Sequence, residues 1–140
     1  MYLVDTNVLS EVRKRSKANS GVRRFFRQAV KDDVWMFISV VTVGELRRGV
    51  EMVRHRGDTR QAESLEGWLE SLLDEYRDQV LDIDAETAQL WGVLRVPQPH
   101  NALDKQIAAT ALIHGLTVVT RNEQDFVHTG VPVLNPFTLP

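Results

Sequence analysis

Cysteine is absent from the chain. That excludes disulfides, thiolate metal sites and a cysteine nucleophile, and it leaves packing as the source of stability. Long apolar runs are missing too: none approaches the roughly 20 residues that cross a bilayer, and no basic n-region precedes an apolar h-region. A soluble, cytoplasmic protein without a membrane partner is expected. The 8 glycines are scattered without a phosphate loop, and Ser39 lacks a nucleophile elbow. His55, His100, His114 and His128 show no close zinc spacing, and His114 beside Gly115 reads as a helix-end residue. What is present is 43% apolar residues in a chain of 140, enough for one real core. One domain over residues 1–140 is expected, with no linker, repeat or low-complexity segment.

Net charge is only -2, but that average conceals two opposed regions. From Glu11 to Lys31, the basic residues Arg13, Lys14, Arg15, Lys17, Arg23, Arg24, Arg27 and Lys31 accompany a single acid. From Asp58 to Glu86 acids dominate, opposed only by Arg60 and Arg77. The acidic block reads as a solvated helix face. The basic block is denser than solubility needs and suits a surface that follows phosphates.

Tyr2-Leu3-Val4 is a short apolar run that suits a central, doubly covered strand. It stops at Asp5, whose carboxylate is enclosed by apolar sequence on both sides and must find partners there. Thr6 or Asn7 is placed to cap a helix carrying Val8, Leu9 and Val12. A second helix opens at Ser20-Gly21 with Val22, Phe25, Phe26 and Ala29 on its inner side. Trp35 to Val40 reads as the next strand. Thr42-Val43-Gly44-Glu45 has capping-box spacing and introduces a helix with Leu46, Val50 and Val53 inside. Leu65, Trp68, Leu69, Leu72, Leu73 and Tyr76 recur at helical spacing. Val80 to Ile83 is a weak strand, a helix from Ala85 to Leu94 follows, and Pro97 and Pro99 break the chain. Asp104 begins an alanine-rich helix closed by Gly115. Leu116 to Thr120 is another strand, and Val131 to Leu134 belongs at an edge because of Pro132. Strands separated by helices predict a three-layer α/β sandwich around a central, mainly parallel five-stranded sheet.

Ligands and chemistry collect outside the carboxyl ends of such strands. Asp5 follows the first strand, Glu45 lies one helical turn beyond the second, Asp104 opens a helix and Asp125 follows the Leu116 strand. Singly, each has an ordinary explanation as a cap or a helix-dipole partner. Jointly, four unpaired acids at one rim would raise one another's pKa values unless a cation compensates, and a hard divalent ion with oxygen ligands does so most simply.

Asp5-Thr6-Asn7, Thr42-Val43-Gly44-Glu45-Leu46, Asp104 leading into Ile107-Ala108-Ala109-Thr110-Ala111, Val119-Thr120-Arg121-Asn122 with Asp125-Phe126, and the closing Val133-Leu134-Asn135-Pro136-Phe137 strongly resemble the PIN-domain ribonucleases. The resemblance is to the VapC (FitB-like) toxins of type II toxin–antitoxin pairs, and it runs from one terminus to the other. It implies a metal-dependent endoribonuclease whose acids, and metal ligands, are Asp5, Glu45, Asp104 and a fourth after the fourth strand. Some relatives carry an aspartate at the place of Asn122, whereas others have asparagine there and an acid three residues later. Asp125 is taken as the fourth acid, with Asn122, Thr120 and Asn7 as polar support.

For such a site, one or two Mg²⁺ or Mn²⁺ ions would activate a water and hold the scissile phosphate, leaving a 5′-phosphate and a 3′-hydroxyl. Arg13, Lys14, Arg15, Arg23, Arg24 and Arg27, with Arg47, Arg48 and Arg121, would hold the RNA backbone. The resemblance further implies a structured RNA such as a transfer RNA as substrate, a homodimer, and a cognate antitoxin lying across the active-site groove in a higher assembly. Two rival readings remain at this stage. An aspartate-nucleophile phosphatase also places an aspartate after its first strand, but it needs a second one where Asn7 stands. A catalytically silent binding module of the same fold would not need all four acids.

Overall fold

In the computed structural model, which describes residues 1–140, five short strands form one sheet. They are β1 (Tyr2–Val4), β2 (Met36–Ser39), β3 (Val80–Leu81), β4 (Thr117–Val119) and β5 (Val133–Leu134), in the order β3-β2-β1-β4-β5. Every pairing is parallel, so the sheet is wholly rather than mainly parallel. Six helices connect and cover it: α1 (Thr6–Val12), α2 (Ser20–Lys31), α3 (Val40–His55), α4 (Thr59–Glu75), α5 (Ala85–Leu94) and α6 (Ala102–His114). Short 3₁₀ turns occur at Arg15–Lys17, Glu123–Phe126 and Pro136–Thr138.

Successive strand side chains point to opposite faces, and each face has its own core. Val4 and Val119 pack with Val8, Phe25, Leu46, Leu69 and Tyr76 on the side of α1 to α4. Leu3 and Val118 pack with Ile107, Ala108, Ala111 and Phe126 on the side of α6. The alanines explain how α6 can lie so close to the sheet: Ala108, Ala109 and Ala111 are all fully buried. Gly115 ends that helix at φ 65°, the left-handed conformation expected of it. The central place of β1 and the edge place of β5 also agree with the apolar pattern.

Several boundaries differ from expectation for local physical reasons. The second strand is shorter than its apolar run, because Val40 already belongs to α3 and Trp35 is 58% exposed, stacked on Phe37. Strand β2 therefore enters α3 without a turn, and Ser39 caps the helix by accepting from the Val41 N–H. The capping box at Thr42-Val43-Gly44-Glu45 is not formed: Thr42 lies inside the first turn, buried, with no partner for its hydroxyl. Asp5, not Thr6 or Asn7, caps α1. Helix α6 starts at Ala102, which puts Asp104 within its first turn rather than at its start.

Candidate active site

The carboxyl edge of β1 is where the acidic tip becomes a built feature. The Asp5 backbone N–H continues the sheet by donating to the Val119 carbonyl at 2.9 Å, so the residue is locked between β4 and α1. Its side chain is 3% exposed and accepts three hydrogen bonds. These come from the Thr6 N–H at 2.8 Å, the Thr120 hydroxyl at 2.8 Å and the Asn7 amide at 3.2 Å. Burial raises the pKa of Asp5; the hydrogen bonds from Thr120, Thr6 and Asn7 oppose that, and the charge of Asp125 reinforces it.

Thr120 and Asn7 stitch the tip of β4 to the first turn of α1. The Thr120 hydroxyl accepts from the Asn7 amide at 3.2 Å and the Asn122 N–H at 3.0 Å. Asn7 in turn accepts from the Arg121 N–H at 3.0 Å. Three of the polar residues named from sequence, Asn7, Thr120 and Asn122, thus stand in one network with Asp5.

Glu45 reaches the same edge from the second turn of α3, where its carboxylate accepts from the Thr6 hydroxyl at 2.9 Å. Burial raises its pKa, the Thr6 bond lowers it, and the charge of Asp5 raises it further. Thr6 is the residue that sequence reasoning passed over in this role, since nothing local connects it to a glutamate 39 positions away. Asp104 arrives from α6 and has no hydrogen bond to its carboxylate. Its pKa is pushed up to about 6, first by burial and then by the charges of Asp5, Asp125 and Glu45. Asp125 sits in the turn after β4, half-buried, and its charge is felt at both Asp5 and Asp104.

The four acids therefore face one rim from the β1–α1 junction, α3, α6 and the β4–β5 connection, and none of them has an ion-pair partner. Their chemistry suits a hard cation: oxygen donors only, mutually repelling, with no lysine or arginine within ion-pair distance. They surround the rim without clasping it, since no three Asp, Glu or His side chains are already gathered as a metal cage.

The basic residues divide into two groups. Arg15, Arg23, Arg24 and Arg27 are exposed, and Arg15, Arg23 and Arg27 flank a shallow cavity of about 310 Å³ between α1 and α2. Arg121 lies over the Phe137 ring at 4.9 Å, and Arg13 stands 6.0 Å from the Trp68 ring. Lys14 is paired with Glu11 at 2.9 Å. Arg47 is paired as well: Glu66 at 2.6 Å and Glu51 at 3.4 Å accept from its guanidinium in a network that ties α3 to α4. Arg48 is exposed and outside that network.

A parallel α/β sheet with four uncompensated acids along its carboxyl edge is the arrangement of a PIN domain, and the PIN domain family profile matches residues 2–131. The chain belongs to that family. It is 35% identical to Toxin FitB of Neisseria gonorrhoeae over 98% of this chain and 99% of that protein. It is 29% identical to VapC ribonuclease Y4jK of Sinorhizobium fredii over 98% of each. The fold superposes on the crystal structure of FitAcB from Neisseria gonorrhoeae with a TM-score of 0.85 at 34% identity, covering 99% of this chain and 100% of that one.

Proposed function

We propose that this protein is the toxin of a toxin–antitoxin pair and acts as a divalent-metal-dependent endoribonuclease on structured RNA, with transfer RNA the first substrate to try. The observation that carries this reading is the company of Asp5, Glu45, Asp104 and Asp125 at one rim without any counter-ion. Similarity over nearly the full chain to a toxin and to a VapC ribonuclease supports it.

Asp5, Glu45, Asp104 and Asp125 would hold Mg²⁺ or Mn²⁺, which suit an all-oxygen donor set. Bound there, the ion supplies Lewis acidity toward a phosphodiester oxygen and a water of lowered pKa. The carboxylates of Asp104 and Asp125, which no hydrogen bond restrains, are free to swing inward on binding. The chain's own residues do the positioning. Thr120, Asn7 and the Thr6 N–H fix Asp5, the Thr6 hydroxyl fixes Glu45, and Asn122 closes the network beside Asp125. Arg13, Arg15, Arg23, Arg24, Arg27 and Arg121 supply positive charge along the path of an RNA backbone.

The partner in this reading is a small antitoxin. A cavity of about 190 Å³ beside Glu45, between α1, α3 and α4, offers it Leu46, Val50, Leu65 and Trp68 next to Arg13. A segment seated there blocks the rim. The working state is a homodimer that joins a higher assembly with the antitoxin.

Incubation of the purified, partner-free protein with bulk RNA and Mg²⁺ or Mn²⁺ tests the activity. Metal-dependent cleavage is expected, and Asp5→Asn abolishes it while leaving the circular dichroism spectrum of the fold intact. Cleavage that persists in chelator, or that Asp5→Asn leaves at the wild-type rate, contradicts the reading.

A further inference from the structure

Lys105, directly after Asp104, is the one basic side chain in the interior, only 6% exposed. Its ammonium donates to the Gln98 carbonyl and belongs to none of the ion pairs of the fold. An ammonium has three donors, and a buried one left short of acceptors is costly unless something completes its shell. Lys105 lies in the wall of a cavity of about 370 Å³, at the lower end of the roughly 300–1,000 Å³ typical of small-ligand sites.

The other walls come from two separate loops. Gln98, His100 and Asn101 belong to the α5–α6 connection, and Gln124 and His128 belong to the segment after β4. All five are exposed, so the cavity has a polar mouth above a buried cation. Asp125 belongs both to this cavity and to the acidic rim, which places the opening directly beside the proposed catalytic centre. The histidines had no role by sequence spacing, yet the fold brings His100 and His128 to one pocket.

We infer that this cavity is a specificity pocket for one unstacked keto base, guanine or uracil, of the nucleotide next to the scissile phosphodiester, with Lys105 donating to the base's carbonyl oxygen. The adjacency to a scissile bond rests on the ribonuclease reading; the base binding does not. An ammonium set deep in a wall favours bases that present a carbonyl acceptor at their tip, and guanine adds N7 beside O6. Adenine and cytosine present an exocyclic amine there instead, a donor facing a donor. Imidazole rings and side-chain amides at the mouth provide the stacking faces and hydrogen-bonding edges by which single-stranded bases are read.

Titration of the isotopically labelled wild-type protein with guanosine, uridine, adenosine and cytidine, in chelator and followed by NMR, tests this without phosphate or metal contacts. Guanosine and uridine are expected to shift the amides of residues 97–101 and 124–129 and to bind about tenfold more tightly than adenosine and cytidine. Lys105→Met, which keeps a long apolar stem, is expected to erase that difference, and in cleavage mapped by sequencing it erases a preference for guanine or uracil beside the cut. If Lys105→Met does not fold, His128→Ala at the exposed mouth is expected to weaken all four nucleosides. Nucleoside binding with no metal-dependent cleavage leaves the pocket standing and removes the ribonuclease reading. Cleavage without nucleoside-induced shifts, or equal binding of all four nucleosides to the wild type, overturns the pocket.

Discussion

At the scale of single residues, the hydroxyl of Thr120 donates to Asp5 and accepts from Asn7 and Asn122, which uses its whole hydrogen-bonding capacity. Asp104 is the opposite case, a half-buried carboxylate that three other acids repel and nothing neutralises. Its pKa of about 6 in the fold stands above the ordinary 3.8, so the folded state holds this proton more tightly than the unfolded chain does. Its stabilising share is therefore complete below 3.8 and is lost as pH rises through about 6. Without metal, Asp104→Asn should match the wild type in thermal stability in acid and exceed it at neutral pH. After discounting for partial exposure the gain is about 1 kcal/mol, or roughly 3 °C. Equal melting temperatures of the two proteins across that whole range would show that the repulsion is not felt.

At the scale of elements, α2 depends on a close approach that only glycine permits. A Cβ built on Gly21 would lie 2.2 Å from the Pro136 carbonyl oxygen and 2.9 Å from that of Leu139, both backbone atoms of the closing 3₁₀ turn and the residue after it. Gly21→Ala should destabilise by roughly 1–3 kcal/mol through this overpacking. Gly67→Ala, on the exposed side of α4 with nothing within 4 Å, should instead stabilise by about 0.5–1 kcal/mol. Chemical denaturation measures both, and the same sign for the two would refute the packing of α2 on the C-terminal turn. Elements with strong periodicity or clear caps, such as α4, α6 and the β1 run ending at Asp5, were legible in the sequence. The start of α3 was not, because its cap, Ser39, lies within an apolar run while Thr42-Val43-Gly44-Glu45 imitates a cap locally. The four acids were legible because each stands just past a strand or in the first two turns of a helix. What held them was not legible: the Thr6–Glu45 bond and the cavity around Lys105 join segments that only the tertiary fold brings together.

At the scale of the whole molecule, charge is sorted by surface. The basic side chains from Arg13 to Lys31 remain unpaired apart from Lys14, whereas the acidic stretch ties Arg47 and Arg54 into the α3–α4 network. The four acids along the carboxyl edge of the sheet repel one another without an ion-pair partner, and two of them, Glu45 and Asp104, come from opposite layers of the sandwich. No helix is long and apolar enough to cross a membrane. The direct test of the metal reading is a Mn²⁺ titration of the partner-free protein followed by electron paramagnetic resonance, run beside Asp5→Asn and Glu45→Gln. Saturable binding by the wild type, weakened at least about tenfold in each variant, is the predicted result. Equal uptake of Mn²⁺ by all three proteins, or none by the wild type, would contradict a shared dication among these carboxylates.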